Sequence, residues 1–300
     1  MALEFYNQAK VLLKVNEFEG KFPTCLEFDP SMLCNHNCVW CRYGHDESML
    51  SYDFMIKKLA KYPKVKGIRI TGGGEPLMNP DTVPFIQECF KRKMTIGIET
   101  NGSLLNDESI DVIARSCRYC RISLDAGSPE TYMGLHRAND FNKVVENIRK
   151  LAKAKIRELG VSYLVVTKNV NDIKLLPKLN LPVDYIHFKP LINKGTTDKA
   201  KQEAIKLIET IPYFKTIKAR YDRLLQDDVC NNKIPCRISE LIRRVGGDSK
   251  EYVCCEKAYE SKYEVDKWDG DTSGCKTCRY NGYNEILESY YTDDMCKDMF

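Results

Sequence analysis

The sequence predicts an α/β protein: an incomplete (β/α)6 barrel followed by a small cysteine-rich module. Three observations carry that expectation. Short β-like apolar runs alternate with amphipathic helical stretches from about Leu26 to Leu191, the pattern of βαβ units joined into a parallel sheet. The alternation stops near Gly195, and the tail beyond it carries Cys230, Cys236, Cys254, Cys255, Cys275, Cys278 and Cys296. Finally, Cys34, Cys38 and Cys41 crowd onto the segment that follows the first expected strand.

In chain order, strands are expected at Leu26–Phe28, Gly67–Thr71, Met94–Glu99, Cys120–Leu124, Val161–Val166 and Tyr185–Lys189. Helices are expected between them at Asp53–Lys61, Pro84–Arg92, Asp107–Ala114, Phe141–Leu159 and Asn171–Leu179. The fourth of these places Val144, Val145, Ile148, Leu151 and Ala152 on one face, as helical periodicity requires. Six such units fall short of a closed barrel. A charged helix at Lys199–Thr210 and a mixed segment at Tyr213–Leu225 lead into the cysteine-rich tail, so the division falls into residues 1–195 and 196–300. There is no internal repeat or low-complexity segment to suggest a solenoid.

A chain of 300 residues is long enough for one large domain and a smaller appendage. Its 43% hydrophobic and 29% charged content excludes a disordered protein. The net charge of +4 arises from 46 basic and 42 acidic residues spread along the whole length. That distribution marks neither a nucleic-acid-binding face nor a membrane-surface helix. Glu4, Lys10, Lys14, Glu17 and Glu19 interrupt the first twenty positions and exclude a secretory core there. No later apolar run approaches the roughly 18 residues that span a bilayer. A cytoplasmic protein is therefore expected, and metal or iron–sulfur ligation rather than disulfides is the leading explanation for a count of 14 cysteines, with Cys25, Cys89, Cys117 and Cys120, which lie in no motif, read as small core or surface residues.

The sharpest motif is Cys34-Asn35-His36-Asn37-Cys38-Val39-Trp40-Cys41. Three thiolates on one short loop can each bind a different iron of a cubane and leave the fourth iron open. The competing reading is a zinc knuckle, with His36 as the fourth ligand. Further on, Gly72-Gly73-Gly74-Glu75-Pro76 forms a turn whose glycines permit close backbone approach and whose carboxylate can accept from an ammonium group. In Tyr185-Ile186-His187-Phe188-Lys189-Pro190, strand alternation puts Tyr185, His187 and Lys189 on one face. If that face points inward, His187 and Lys189 are the candidate catalytic residues; if outward, they are solvated.

Taken together and in this order, the cysteine loop and the glycine turn resemble those of the radical S-adenosylmethionine (radical SAM) superfamily. In that family a Cys-x3-Cys-x2-aromatic-Cys loop follows the first strand of a partial TIM-like barrel, and Trp40 occupies the aromatic place. The resemblance implies a catalytic 4Fe–4S cluster on Cys34, Cys38 and Cys41, with SAM chelating the open iron. It implies a cofactor pocket formed by Trp40, Gly72, Gly73, Gly74, Glu75, Asn101, Ser123, Asp125, Arg137 and Asn169, with Arg137 near the methionyl carboxylate. A flavodoxin or ferredoxin is the implied electron donor.

The tail resembles the twitch form of the SPASM auxiliary-cluster module. That likeness implies one additional 4Fe–4S cluster on Cys236, Cys254, Cys275 and Cys278, with Cys255 as a substitute for Cys254, or a structural zinc on the same thiolates. Such a cluster suits an oxidoreductase that takes a hydrogen atom from a small polar alcohol, such as an aminocyclitol, sugar or nucleoside. The alternatives are a peptide-modifying maturase or epimerase and a structural zinc-binding protein.

Overall fold

In a computed structural model of the chain, the described residues are 23–191, 196–225, 236, 242–254, 258–268, 270 and 275. They build one mostly parallel sheet of nine strands in the order β7-β6-β5-β4-β3-β2-β1-β8-β9. Six of these match the expected strands: β1 (Cys25–Phe28), β2 (Gly67–Ile70), β3 (Thr95–Thr100), β4 (Tyr119–Ser123), β5 (Leu159–Val165) and β6 (Tyr185–Pro190). The other three come from the second half of the chain, in β7 (Lys218–Arg220), β8 (Ile242–Val245) and β9 (Glu251–Tyr252). β7 pairs parallel with β6, while β8 pairs parallel with the opposite edge at β1, Cys25 facing Ile242 and Phe28 facing Val245. Only β9 runs antiparallel.

The helices crossing between strands are α1 (Tyr52–Lys61), α2 (Thr82–Lys91), α3 (Asp107–Ser116), α4 (Pro129–His136), α5 (Phe141–Lys153) and α6 (Leu176–Leu179). Two more follow, α7 (Asp198–Thr210) and the short α8 (Tyr213–Thr216). Side-chain caps set several starts: Ser51 accepts from Phe54 N–H, and Asn106 closes a reciprocal capping box with Ser109. α5 stops at Lys153, short of the expected Leu159, because Lys155 adopts a left-handed φ of 60° and Leu159 already begins β5. The segment expected as a helix at Asn171–Leu179 is a 3-10 turn, Val170–Leu175, continued by α6.

Strand alternation divides the sheet's two faces. Leu26, Phe28, Ile68, Ile70, Ile96, Ile98, Ile122, Val161, Ile186 and Phe188 are buried beneath the helices and form the core. The opposite face carries Glu27, Arg69, Glu99, Arg121, His187 and Lys189. There Arg69 bridges Glu27 and Glu99, and Arg121 also meets Glu99. Two glycines make room for rings on this face. A Cβ on Gly97 would fall 2.0 Å from the Tyr119 ring, and one on Gly160 would fall 2.1 Å from the Tyr185 ring. The Tyr185 ring in turn lies 3.8 Å from the Arg220 guanidinium.

Candidate active site

The chain leaves β1 at Asp29 and enters the cysteine loop, whose base is closed by a bridge between Ser31 and Met49. Asn79 Nδ2 fastens the same base by donating to the carbonyls of Pro30 (2.7 Å) and Leu50 (2.8 Å). At its tip the loop rests on the C-terminal end of α4, where Asn37 N–H donates to His136 O and Val39 N–H to Leu135 O. These are the orphan carbonyls that any helix end must satisfy. His36, buried, adds a side-chain tie of 3.0 Å from Nε2 to Asp140 Oδ2.

Cys34, Cys38 and Cys41 lie close enough on this loop for each of the first two thiols to feel charge on the third. Burial pushes the Cys34 thiol up to about 11 and the Cys38 thiol higher still. A bound cation reverses that preference, because a coordinating thiol is deprotonated outright. Three convergent, soft donors on one closed loop, Cys34 and Cys38 half-buried and Cys41 exposed, fit a cluster with an open iron. His36, Cys38 and His136 also place one ligand atom each within 4.8 Å of one another, a donor set different from the three cysteines and His36 of the zinc alternative.

The glycine turn after β2 packs against the strand leading into this loop. Gly74 N–H donates to Ser31 O and Glu75 N–H to Leu33 O, both at 2.9 Å. A Cβ on Gly74 would lie 2.2 Å from Leu33 O, so only glycine allows this approach. The nearest neighbours of the three glycines differ: Gly72 faces Gly74 O, Gly73 the Met32 side chain, and Gly74 the backbone leading into the cysteine loop. Glu75 is fully engaged in a similar way. Its Oε1 accepts from Leu77 N–H and Thr100 Oγ1, and its Oε2 accepts from Asn101 N–H. This carboxylate therefore braces the turn to the end of β3.

Asn101 continues the brace, donating from Nδ2 to Asn35 Oδ1 at 2.9 Å, and its side chain also reaches Cys34. Ser123 is the half-buried last residue of β4. Asp125, buried just beyond it with a φ of 55°, accepts from Leu164 N–H and sets Oδ2 3.3 Å from His136 Nε2. Asn169 is wholly buried and gives both amide protons to backbone carbonyls, those of Asp125 and Leu164. Arg137, exposed, caps α4 in the left-handed conformation at φ 53°. Trp40 is half-buried and meets the His136 ring edge-on at 5.7 Å.

Tyr185, His187 and Lys189 lie on the polar face, opposite Phe188, which packs in the core against Tyr163 and Phe214. Burial, together with Arg121, Lys189, Arg223 and Arg220 nearby, holds His187 well below the ordinary imidazole range, and its Nδ1 is buried without a hydrogen-bond partner. Burial pushes Glu99 upward, but Arg121 and Arg69 outweigh it, and with Lys189 they keep this carboxylate well below its usual range.

In the tail, Cys254 and Cys275 both lie near the Tyr263 hydroxyl, which stands 3.7 Å from Cys275 Sγ. Cys236 is half-buried. The expected ligand Cys278, with Cys230, Cys255 and Cys296, lies outside the described residues. Sequence reasoning overlooked His136, because only the neighbouring Arg137 was marked; no sequence pattern ties that histidine to Cys38.

A cysteine loop launched from the first strand of a mostly parallel α/β sheet defines a member of the radical SAM superfamily. Residues 30–179 match the Radical SAM superfamily model, and the chain belongs to that superfamily. Membership implies SAM and a catalytic 4Fe–4S cluster. Among curated relatives, the chain is 29% identical over 174 residues to the GTP 3',8-cyclase of Petrotoga mobilis, covering 53% of each protein. It is likewise 29% identical over 176 residues to the tungsten-containing aldehyde ferredoxin oxidoreductase cofactor-modifying protein of Pyrococcus furiosus, covering 50% of this chain and 47% of that one. The chain thus spans about half the length of these relatives. In fold it is similar to SuiB of Streptococcus suis bound to precursor peptide SuiA, with a TM-score of 0.63 at 15% identity over 99% of this chain and 70% of that one. It is also similar to anSMEcpe with bound AdoMet, with a TM-score of 0.61 at 15% identity over 81% and 77%. No helix among the described residues is long and apolar enough to cross a membrane.

Proposed function

We propose that the chain is a radical SAM enzyme that takes a hydrogen atom from a small polar substrate, a nucleoside or nucleotide being favoured among the polar alcohols. The observation that carries this reading is the polar face of the sheet, where Arg121 and Lys189 surround an imidazole with an unbonded Nδ1. With Glu27 and Glu99 against Arg69, Arg121 and Lys189, this face holds more cations than anions. Nucleotide-acting relatives such as the GTP 3',8-cyclase of Petrotoga mobilis point the same way.

The sheet, in this reading, curls as a partial (β/α)6 barrel around that face. Cys34, Cys38 and Cys41 hold the catalytic cluster, and Cys236, Cys254, Cys275 and Cys278 hold an auxiliary one. When bound, SAM and the reduced cluster would supply a 5′-deoxyadenosyl radical, and an auxiliary cluster would take up the electron left after hydrogen abstraction. Lys189 and Arg121 orient the substrate, while the neutral His187 accepts the proton of its hydroxyl as the carbon is oxidised. Trp40, Asn101, Ser123, Asp125, Arg137 and Asn169 line or brace the SAM pocket, Gly72, Gly73, Gly74 and Glu75 shape its wall, and the cytoplasmic electron donor is a flavodoxin or ferredoxin.

Anaerobic reconstitution with iron and sulfide tests the reading. Wild type should bind about eight irons and the Cys34→Ala/Cys38→Ala/Cys41→Ala variant about four, at four per cluster. Only wild type should form 5′-deoxyadenosine from SAM with dithionite, and nucleotides should be turned over. Zinc without sulfide would overturn the enzyme assignment; modification of peptides with no turnover of nucleotides, sugars or cyclitols would overturn the substrate assignment.

A further inference from the structure

We propose that His136 is a positioning residue for the catalytic cluster: its ring donates an N–H···S hydrogen bond to Cys38, fixes that ligand and raises the cluster's reduction potential. This rests on Cys34, Cys38 and Cys41 being the cluster's ligands.

The geometry places one ring between a cysteine sulfur and a carboxylate, and donation to sulfur from Nδ1 with a carboxylate facing Nε2 requires a proton on both ring nitrogens when the thiolate is bound. His136 Nδ1 stands 3.3 Å from Cys38 Sγ, within reach of a hydrogen bond to sulfur. On the ring's far side, Nε2 stands 3.3 Å from Asp125 Oδ2. Asp125 is itself immobilised, because its Oδ1 accepts from Leu164 N–H and its carbonyl accepts from Asn169 Nδ2. The imidazole has no room to turn away. It is 2% exposed, stacks on the Tyr132 ring at 4.3 Å, and meets His36 and Trp40 edge-on.

The backbone grips the same spot. His136 O accepts from Asn37 N–H and Leu135 O from Val39 N–H, so the residues on both sides of Cys38 are anchored to the helix end that carries the ring. Cys41 also has a histidine nearby, with His45 Nε2 at 3.3 Å, but that contact is exposed to solvent. Of the two histidine-ring contacts to cysteine sulfur among the described residues, the His136–Cys38 pair is the one held inside a low-dielectric pocket, where a hydrogen bond has its full electrostatic effect. A donor aimed at a cluster sulfur stabilises the more electron-rich, reduced state and so moves the potential upward.

The test uses the full chain, reconstituted anaerobically with iron and sulfide, as wild type, His136→Phe and His136→Gln. Potentiometric titration followed by electron paramagnetic resonance reads the catalytic cluster, recognised by the change in its signal when SAM is added. His136→Phe should keep that cluster but show a reduced-to-oxidised ratio about tenfold lower at the wild-type midpoint, a negative shift of about 59 mV for a one-electron couple. His136→Gln, which retains an N–H donor, should recover most of it. Equal potentials in all three proteins would overturn the proposal. So would a His136→Phe chain that takes up no iron at this site when His136→Gln does, since the residue would then be needed for assembly rather than tuning. A wild-type chain with no SAM-responsive cluster would instead bring down the reading of the three cysteines, and this proposal with it.

Discussion

Asp29 and Arg244, 215 residues apart in the chain, meet as a buried two-point ion pair, with Nε 2.7 Å from Oδ2 and Nη2 2.9 Å from Oδ1. Asp29 is the residue from which the cysteine loop departs, and Arg244 lies in β8. The Tyr259 hydroxyl also donates to Asp29, and Tyr43, two residues beyond Cys41, accepts from Arg244 at 3.3 Å. The loop and the segment around β8 are thus joined through one carboxylate.

Removing one side of that pair strands the other. Arg244→Met is expected to cost about 3–5 kcal/mol, the usual penalty for leaving a buried charge without its partner. Urea unfolding measures it, and Asp29→Asn/Arg244→Met should recover part of the loss. A cost below about 1 kcal/mol would show that water reaches Asp29.

Gly74→Ala tests the close approach between the glycine turn and the cysteine loop. With Leu33 O in the way at 2.2 Å, backbone must move on one side or the other. Overpacking of this kind costs about 1–3 kcal/mol. Iron analysis after reconstitution should show the catalytic cluster depleted, while Gly134→Ala, which meets no neighbour, should load normally.

His187 makes stability depend on pH. Its folded-state value is depressed by burial and by four nearby cations, whereas the unfolded chain titrates near 6.5. Below pH 6.5 the unfolded state binds the extra proton, so stability falls as pH falls, by up to about 1.4 kcal/mol per pH unit. His187→Gln should flatten the stability profile between roughly pH 6.5 and 5 relative to wild type. Parallel profiles for the two proteins would contradict the depressed value.

Glu99 acts at lower pH. Held ionised by Arg121 and Arg69, it contributes stability that is complete above its unfolded value, near 4.5, and lost as pH falls through its lower folded value. Glu99→Gln should be less stable than wild type at pH 7, and the two should converge in acid. Circular dichroism across pH 2–7 decides it.

The six central strands were legible because each is a short apolar run bounded by turn residues, whereas the cysteine spacing left cluster and zinc open until the glycine turn was set beside it. α4 was not foreseen, since Pro129 and Gly134 blur its periodicity, although Ser128 before Pro129 is a start signal of the usual kind. β8 was hidden for a different reason. Arg243 and Arg244 interrupt its apolar run, and the carboxylate of Asp29, distant in sequence, is what pairs with Arg244 at its buried strand position. The polar face was half legible: alternation grouped His187 with Lys189, but which way they faced depended on Arg121 and Glu99, carried by other strands.

The pairing of β8 with β1 also sets an order of events at the ribosome. The strand that launches the cysteine loop is synthesised well before β8, so one of its edges stays unpaired until residues 242–245 have emerged. Over that interval its free N–H and C=O groups form an open template for another nascent chain, and a parallel partner so far downstream is slow to find. The cysteine loop therefore sits on a foundation completed after it, and chains halted before β8 should be the ones that associate instead of acquiring iron.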